Sequence, residues 1–280
     1  MGAIITLTTD LGLTDAYAAA MKGVIISINP EAKLVDICHT IKPQNIHQAA
    51  FVLSTAYQFF SKKTIHLVVV DPGVGTTQKA IILRTPLADF VAPDNGVLSY
   101  IIQEFSAKPV EDYGTPQPIE LKPELEVVAI TEPRFWRSPV SPTFHGRDIF
   151  APVAALLSLG LPPLDFGEAI SSVTVLPLPQ PHWAADGTLI GHVLHIDSFG
   201  NLITNIGGDD LPLAKESITI EVGNPLISGL SHTYADGEGL LALIGSSGHL
   251  EVALKDGTAA AFLGAQIGSE VRLRKQSGGN

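Results

Sequence analysis

Cysteine is almost missing from this chain of 280 residues: Cys38 stands alone. A single thiol closes no disulfide within the chain and cannot build a cysteine-rich metal site. Its place in the apolar run KLVDIC suits a small buried hydrophobe. Charge is scarce as well, at 16% of residues, and it leans negative, with a formal net charge of −11. Phosphate backbones need a basic surface, so nucleic acid is excluded as an expected partner. No apolar run approaches the ~20 residues of a membrane-crossing helix. The opening MGAIITLTTD has neither a basic start nor a long apolar segment, so no signal peptide is read and a soluble, cytoplasmic protein is expected. What the chain does have is hydrophobic residues, 45% of the total. That is enough for a sizeable core in one large domain or two unequal ones.

Strand-like and helical patterns alternate through the first half. AIITLTT, KLVDIC, TIHLVVV, KAIILRT and DFVAP read as strands. DAYAAAMKGVIISI, NIHQAAFVLSTAYQFF, NGVLSYIIQEF and RDIFAPVAALLSLG carry helical spacing. Such alternation predicts an α/β domain over residues 1–176 with a largely parallel or mixed sheet. The stretch from Glu111 to Pro142 is the least regular and reads as a surface excursion. A proline-rich linker is expected over 177–186. After it the period changes to two. TLIGHVLHID, NLITNI, SITIEV, LLALIG, LEVALK and SEVRLR predict a smaller antiparallel, β-barrel-like domain over 187–280.

Ligands of α/β sheets bind beyond the carboxyl ends of the strands. Asp10, His39 and Asp71 all fall there. Asp71 is followed by Pro72, Gly73, Val74 and Gly75, a glycine-rich turn without the Lys-Ser/Thr of a phosphate loop. Its glycines let backbone pass close to a ligand. Asp94 and Asn95, before GVLSYII, read as helix caps. His39, His47 and His145 with Asp10 and Asp71 have the chemistry of a metal site but not its usual spacing. HGRD reads as a polar helix start, with Arg147 and Asp148 solvated or paired. In DSFGNLITNI a polar bend interrupts a strand pattern. A bulge explains it, and so does a seat for a flat heterocycle, with Phe199 stacking and Asn201 hydrogen-bonding.

Taken in order, TTDLGLTDAY, MKGVI, VDICHTIKPQNI, VVVDPGVGTT, FVAPDNGVL, PTFHGRDIFAP, DSFGNLITNI and GSSGHLEVALKDGTAA resemble the S-adenosylmethionine (SAM) hydroxide adenosyltransferase family. The resemblance covers residues 4 to 273, and fluorinases and chlorinases are relatives of that family. It implies a homotrimer with SAM held at subunit interfaces, between the N-terminal domain of one subunit and the C-terminal domain of the next. It also implies attack of water or hydroxide on C5′, giving adenosine and L-methionine with no metal and no cofactor. By the resemblance Asp10 grips the ribose hydroxyls, Phe199 and Asn201 recognise adenine, and Asp197 and Ser246 hold the methionine end. Asp71 and His145 match two of the three water-activating residues. The third, an Arg in the family pattern, is Gln78 here. Lys79, which follows it, and Arg147 are the cations that can compensate where geometry permits. A catalytically weak SAM- or adenosine-binding protein and a SAM-dependent halogenase are the alternatives. The fluorinase has Tyr, Thr and Ser where Asp71, Val74 and Gly146 stand. Asp71 would repel an incoming halide.

Overall fold

The computed structural model describes residues 2–105, 115–121, 124–211 and 218–275. It forms two compact units, Met1–Leu178 and Pro179–Asn280. The first is built on β1 (Ile4–Thr9), β2 (Lys33–Cys38), β3 (Ile65–Val69), β4 (Ala80–Arg84) and β5 (Asp89–Pro93). An antiparallel pair of strands distant in sequence, β6 (Gln117–Glu120) and β9 (Ser172–Val175), stands apart from the main sheet. With β7 (Glu126–Ile130) and β8 (Gly167–Ala169) the main sheet has seven strands in the order β2-β1-β3-β5-β4-β7-β8. Strands β2, β1, β3 and β5 are parallel, whereas β4, β7 and β8 pair antiparallel.

Every residue of β3 is buried, as a strand covered on both faces requires. Helix α1 (Tyr17–Ile28) buries Ala18, Met21 and Ile25, a helical stripe, against one face. Helix α4 (Ala151–Ser158) joins it there, with Val153 and Ala154 in the same core cluster. The other face is covered by α2 (Ile46–Ala56) and α3 (Ser99–Glu104) through Leu53, Ile101 and Ile102. Helix α2 opens on Asn45, whose side chain accepts the Gln48 N–H at 2.9 Å. His66 is the polar exception in β3. Burial drives its pKa down to about 4, so it stays neutral, with Nδ1 2.7 Å from Thr6 Oγ1 and its ring stacked on Phe90.

The second unit comprises β10 (His182–Trp183), β11 (Leu189–Ile196), β12 (Leu202–Gly207), β13 (Ile218–Glu221), β14 (Leu226–Ser228), β15 (Leu240–Ile244), β16 (His249–Leu254) and β17 (Glu270–Lys275). The path runs β14-β13-β17-β11-β12-β16-β15, antiparallel throughout, with β10 paired to β11. Just past β14, the Ser231 N–H donates to Ala242 O in β15 at 2.8 Å, which brings the two ends of the path together and nearly closes a barrel. Leu189, Leu202, Ile206, Ile220 and Val252 fill it. A short helix, α5 (Ala259–Leu263), follows β16.

In its strands and connections the structure differs from the sequence reading at three places. The excursion after Glu111 is not irregular throughout, since it contains β6 and β7; its residues 111–114 and 122–123 lie outside the described residues. Residues 182 and 183, inside the expected linker, form β10. The bend at DSFG is not a bulge within one strand. It is the turn joining β11 to β12, closed by Gly200 N–H donating to Asp197 O at 3.1 Å. Among the described residues no helix is long and apolar enough to cross a membrane.

Candidate active site

The flagged residues fall into two groups, one in each unit. In the first unit the four parallel strands end side by side, and they set Asp10, His39, Asp71 and Asp94 along one edge. Asp71 Oδ1 accepts a hydrogen bond from Gln78 Nε2 at 2.6 Å. The loop between them is folded on itself: Thr76 donates to Gly73 O through both N–H and Oγ1, at 3.1 and 2.6 Å. Two glycines make that possible. A Cβ on Gly73 would stand 2.5 Å from Gln78 Oε1, and one on Gly75, whose φ is +79°, would stand 2.6 Å from Pro142 O. Hence the glycine-rich turn admits an amide side chain and a neighbouring loop.

Burial pushes the Asp71 carboxyl above its ordinary range. The Gln78 hydrogen bond, the nearby His145 and the Gly73 N–H pull it down, while Asp10 pushes it further up. Asp10 and His145 thus both lie within electrostatic reach of Asp71. Neither cation that can replace the family Arg acts on Asp71. Lys79 is exposed, and Arg147 is committed to Asp148 through Nε and Nη2 at 2.7 and 2.8 Å.

Asp10 Oδ2 accepts the Gln44 N–H at 2.7 Å, while Oδ1 has no partner among the described residues. His39 is buried, its Nδ1 2.8 Å from Thr9 Oγ1 and its Nε2 3.0 Å from Asp36 Oδ1. Lys22 also pairs with Asp36 at 2.6 Å. His39 therefore braces the ends of β1 and β2, and His47 lies in α2. Among the described residues no three His, Cys, Asp or Glu side chains are grouped as a metal site requires.

The segment carrying His145 is shaped by a proline. Pro152 lacks the N–H that would bond Asp148 O in a regular helix. The chain takes a π turn over Gly146–Phe150 instead, with Ala151 N–H donating to Gly146 O. The freed Asp148 carbonyl accepts the Arg137 N–H at 2.8 Å. The Asp148 side chain is fully buried, accepts Ser141 N–H at 2.9 Å and pairs with Arg147 and, more loosely, Arg137. So HGRD opens the helical segment with Arg147 and Asp148 paired, not solvated. Asp148 ties down the loop from Arg137 to His145, and the proline four residues downstream was the signal for it.

Asp94 and Asn95 do not cap α3, which has no side-chain cap at Leu98. Asp94 Oδ1 accepts Thr174 N–H at 2.7 Å, and its own N–H donates to Lys79 O at 2.9 Å. Asn95 donates from Nδ2 to Val70 O at 2.9 Å and accepts Val97 N–H at 3.1 Å. Two adjacent residues therefore hold the chain on both sides of the Asp71–Gln78 loop. Asn95→Ala leaves a buried carbonyl unpaired, so a loss of about 1–3 kcal/mol is expected. A fall in turnover of about tenfold is also expected as the loop loosens. Denaturant unfolding and steady-state kinetics check both.

In the second unit Asp197 organises the turn. Its Oδ1 accepts the N–H groups of Phe199 and Asn201, each at 2.9 Å, and its Oδ2 accepts Asn201 Nδ2 at 3.1 Å. Asn201 is buried, while the Phe199 ring is 74% exposed on a rigid base. Gly200, at φ +85°, leaves room for Thr258. Ser246 is exposed at the tip of the β15–β16 turn, closed by Gly248 N–H to Gly245 O at 2.9 Å. A residue the sequence reading missed stands close by. Glu251, buried in β16, accepts Tyr234 Oη at 2.5 Å, and its pKa is raised by burial and by the charge of Asp197. A Cβ on Gly245 would stand 2.4 Å from Glu251 Oε2, a signal visible only in three dimensions.

Residues 5–167 match the SAM hydroxide adenosyltransferase N-terminal domain, and residues 191–272 match the C-terminal domain of that family. An (R)-S-adenosyl-L-methionine hydrolase of Salinispora tropica is 36% identical over 96% of this chain and 97% of its own. A fluorinase of Nocardia brasiliensis is 28% identical over 97% and 96%. The crystal structure of an uncharacterised conserved protein from Thermotoga maritima superposes with a TM-score of 0.84 at 36% identity, covering 97% of this chain and all of that one. With both family domains matched in order on an α/β unit followed by a nearly closed barrel, the chain belongs to the SAM hydroxide adenosyltransferase family.

Proposed function

We propose that this protein hydrolyses S-adenosyl-L-methionine to adenosine and L-methionine. The water oxygen forms a bond to C5′ as the C5′–sulfur bond breaks and its electron pair returns to sulfur. Methionine leaves as a neutral thioether, so neither an acid nor a Lewis-acid metal is needed at the leaving group. What the reaction needs is an aligned water and a destination for its proton. Asp71 accepts that proton and His145 passes it on to solvent. The observation that carries this reading is the half-buried Asp71 carboxyl, held by a neutral amide and with its pKa raised. That is a base, and a halide approaching it would meet like charge.

Asp10 takes the ribose diol on its free oxygen, Phe199 and Asn201 take adenine, and Asp197 with Ser246 takes the amino-acid end. These residues lie in different units. By the family resemblance the reading also includes a homotrimer in which the first unit of one subunit and the second unit of the next share a substrate, and with it a cytoplasmic location. The Salinispora relative's name specifies an R centre beyond the L-methionine carbon, which makes the sulfonium configuration part of the question. Purified protein incubated with each sulfonium epimer, with and without chloride, tests the proposal. Adenosine from at least one epimer is expected. Chlorinated nucleoside would favour the halogenase reading, and binding without product the weak binding protein.

Gln78→Arg separates the roles of amide and guanidinium. An Arg at hydrogen-bond distance stabilises the ionised carboxylate, so the acid limb of the pH–rate profile should move down by about one unit or more. The sign follows from Asp71 working as a base: activity is lost as pH falls and the carboxyl is protonated. A limb that stays in place would show that it does not report Asp71.

A further inference from the structure

We infer that the first unit carries a second ligand site, for a small molecule bearing two or more phosphate groups, at the end of the sheet opposite Asp10 and Asp71. A cavity of about 800 Å³ opens at the amino ends of β1 and β3, where Ile4 and Ile65 form part of its wall. Its size falls within the range of small-molecule pockets. Four cations from three separate segments line it: Lys33, Lys62, Lys63 and Arg84. Against them stands one carboxylate, Asp89, which Arg84 occupies through two hydrogen bonds of 2.8 Å. The lining therefore holds a surplus of three positive charges, in a chain whose formal net charge is −11.

The three lysines have no carboxylate partner among the described residues, which is equally true of the exposed Lys42, Lys79 and Lys255; what sets the three apart is that they line one cavity. Like charges gathered without counter-charge repel one another, and a polyanion would relieve that repulsion. Lys63 adds a second observation. Its φ is +71°, a left-handed conformation in which glycine or asparagine is at ease and lysine is not. Its N–H donates to Leu87 O at 3.1 Å, which fixes the backbone of one cavity wall to the other. The end of α4 also faces the cavity, with the negative pole of its dipole. Two of its last carbonyls are taken up, Leu157 O by Gly160 N–H at 2.9 Å and Leu156 O by Leu159 N–H at 3.1 Å. Ammonium groups on flexible stems suit several phosphate oxygens at once, without fixing a single planar geometry.

Calorimetric titration of the full-length protein tests this, with tripolyphosphate and ATP as separate probes. Thermal unfolding is the control for folding. The site is independent of the hydrolase reading, and a failed SAM assay leaves the titration interpretable. Saturable binding of at least one probe is expected, weakening as salt is added. A Lys62→Glu/Lys63→Glu double variant should bind at least tenfold more weakly, and Lys255→Glu, on the exposed surface of the second unit, should bind as the native protein does. Binding of tripolyphosphate alone would point to a bare phosphate chain, and of ATP alone to a nucleotide. No saturable binding of either probe, or equal affinity in the double variant, overturns the proposal.

Discussion

Asp71→Asn is expected to lower kcat by about 10²–10⁴, the range for loss of a general base, with KM for SAM changed little. Asparagine keeps the size of the side chain and an oxygen for the Gln78 amide, which now bonds Oδ1 at 2.6 Å. It cannot take a proton. The loop should stay in place, because Thr76 folds it onto Gly73 and because Asp94 and Asn95 hold Lys79 O and Val70 O. The substitution therefore isolates the proton-accepting role from loop geometry. Steady-state kinetics checks it, with circular dichroism as the control for folding. A kcat within tenfold of the native value would remove Asp71 from the chemistry. Attention would then shift to Asp10 and His145, the other groups that act on the same charge.

Asp148→Ala should have the largest effect on stability. Removing one partner of a buried ion pair costs about 3–5 kcal/mol. The lower end, about 3 kcal/mol, is expected here, because Arg147 and Arg137 can turn to solvent once released. The side chains of Arg147 and Arg137 are 31% and 50% exposed, against 0% for Asp148. A fall in Tm of about 6–12 °C follows for a protein of this size. Turnover should fall as well, since the loop from Arg137 to His145 hangs on this carboxylate. Arg147 foremost, with the Ser141 N–H and Arg137, holds Asp148 below the ordinary carboxylate range against the opposing effect of burial. Its contribution is therefore full above the ordinary carboxylate value and is lost as pH falls through the depressed one. The variant should show less acid-side loss of stability than the native protein. Scanning calorimetry across acidic pH checks both points, and an unchanged Tm would show the network to be dispensable.

Much of the architecture was legible because burial leaves a periodic trace. TIHLVVV has no polar alternation and became the fully buried β3, and the period-two segments after Gly187 became the antiparallel path of the second unit. Strand ends were legible too, so Asp10 and Asp71 were placed at the carboxyl edge correctly. Less legible was the use of each polar group. Asp94 and Asn95 satisfy the local grammar of a helix cap, yet the nearest orphaned backbone groups belong to residues 70 and 174, far away in sequence. Asp148 shows the same limit in part: Arg147 beside it in HGRD is its first partner, but Ser141 N–H and Arg137 come from an earlier loop that the motif does not announce. Glu251 gave no signal, because an acidic residue in an alternating strand reads as a solvated face until the turn at Gly245 closes over it. The glycines at 73 and 75 make room for Gln78 and Pro142, a use that shows only in three dimensions.

Hydrolysis of SAM in water enriched with the heavy oxygen isotope, followed by mass spectrometry of the products, tests most directly whether water activated at Asp71 attacks C5′. The account requires adenosine carrying the heavy oxygen at its 5′ hydroxyl, with unlabelled methionine beside it. Methylthioadenosine with labelled homoserine, which places the attack on the other side of the sulfonium, would contradict it.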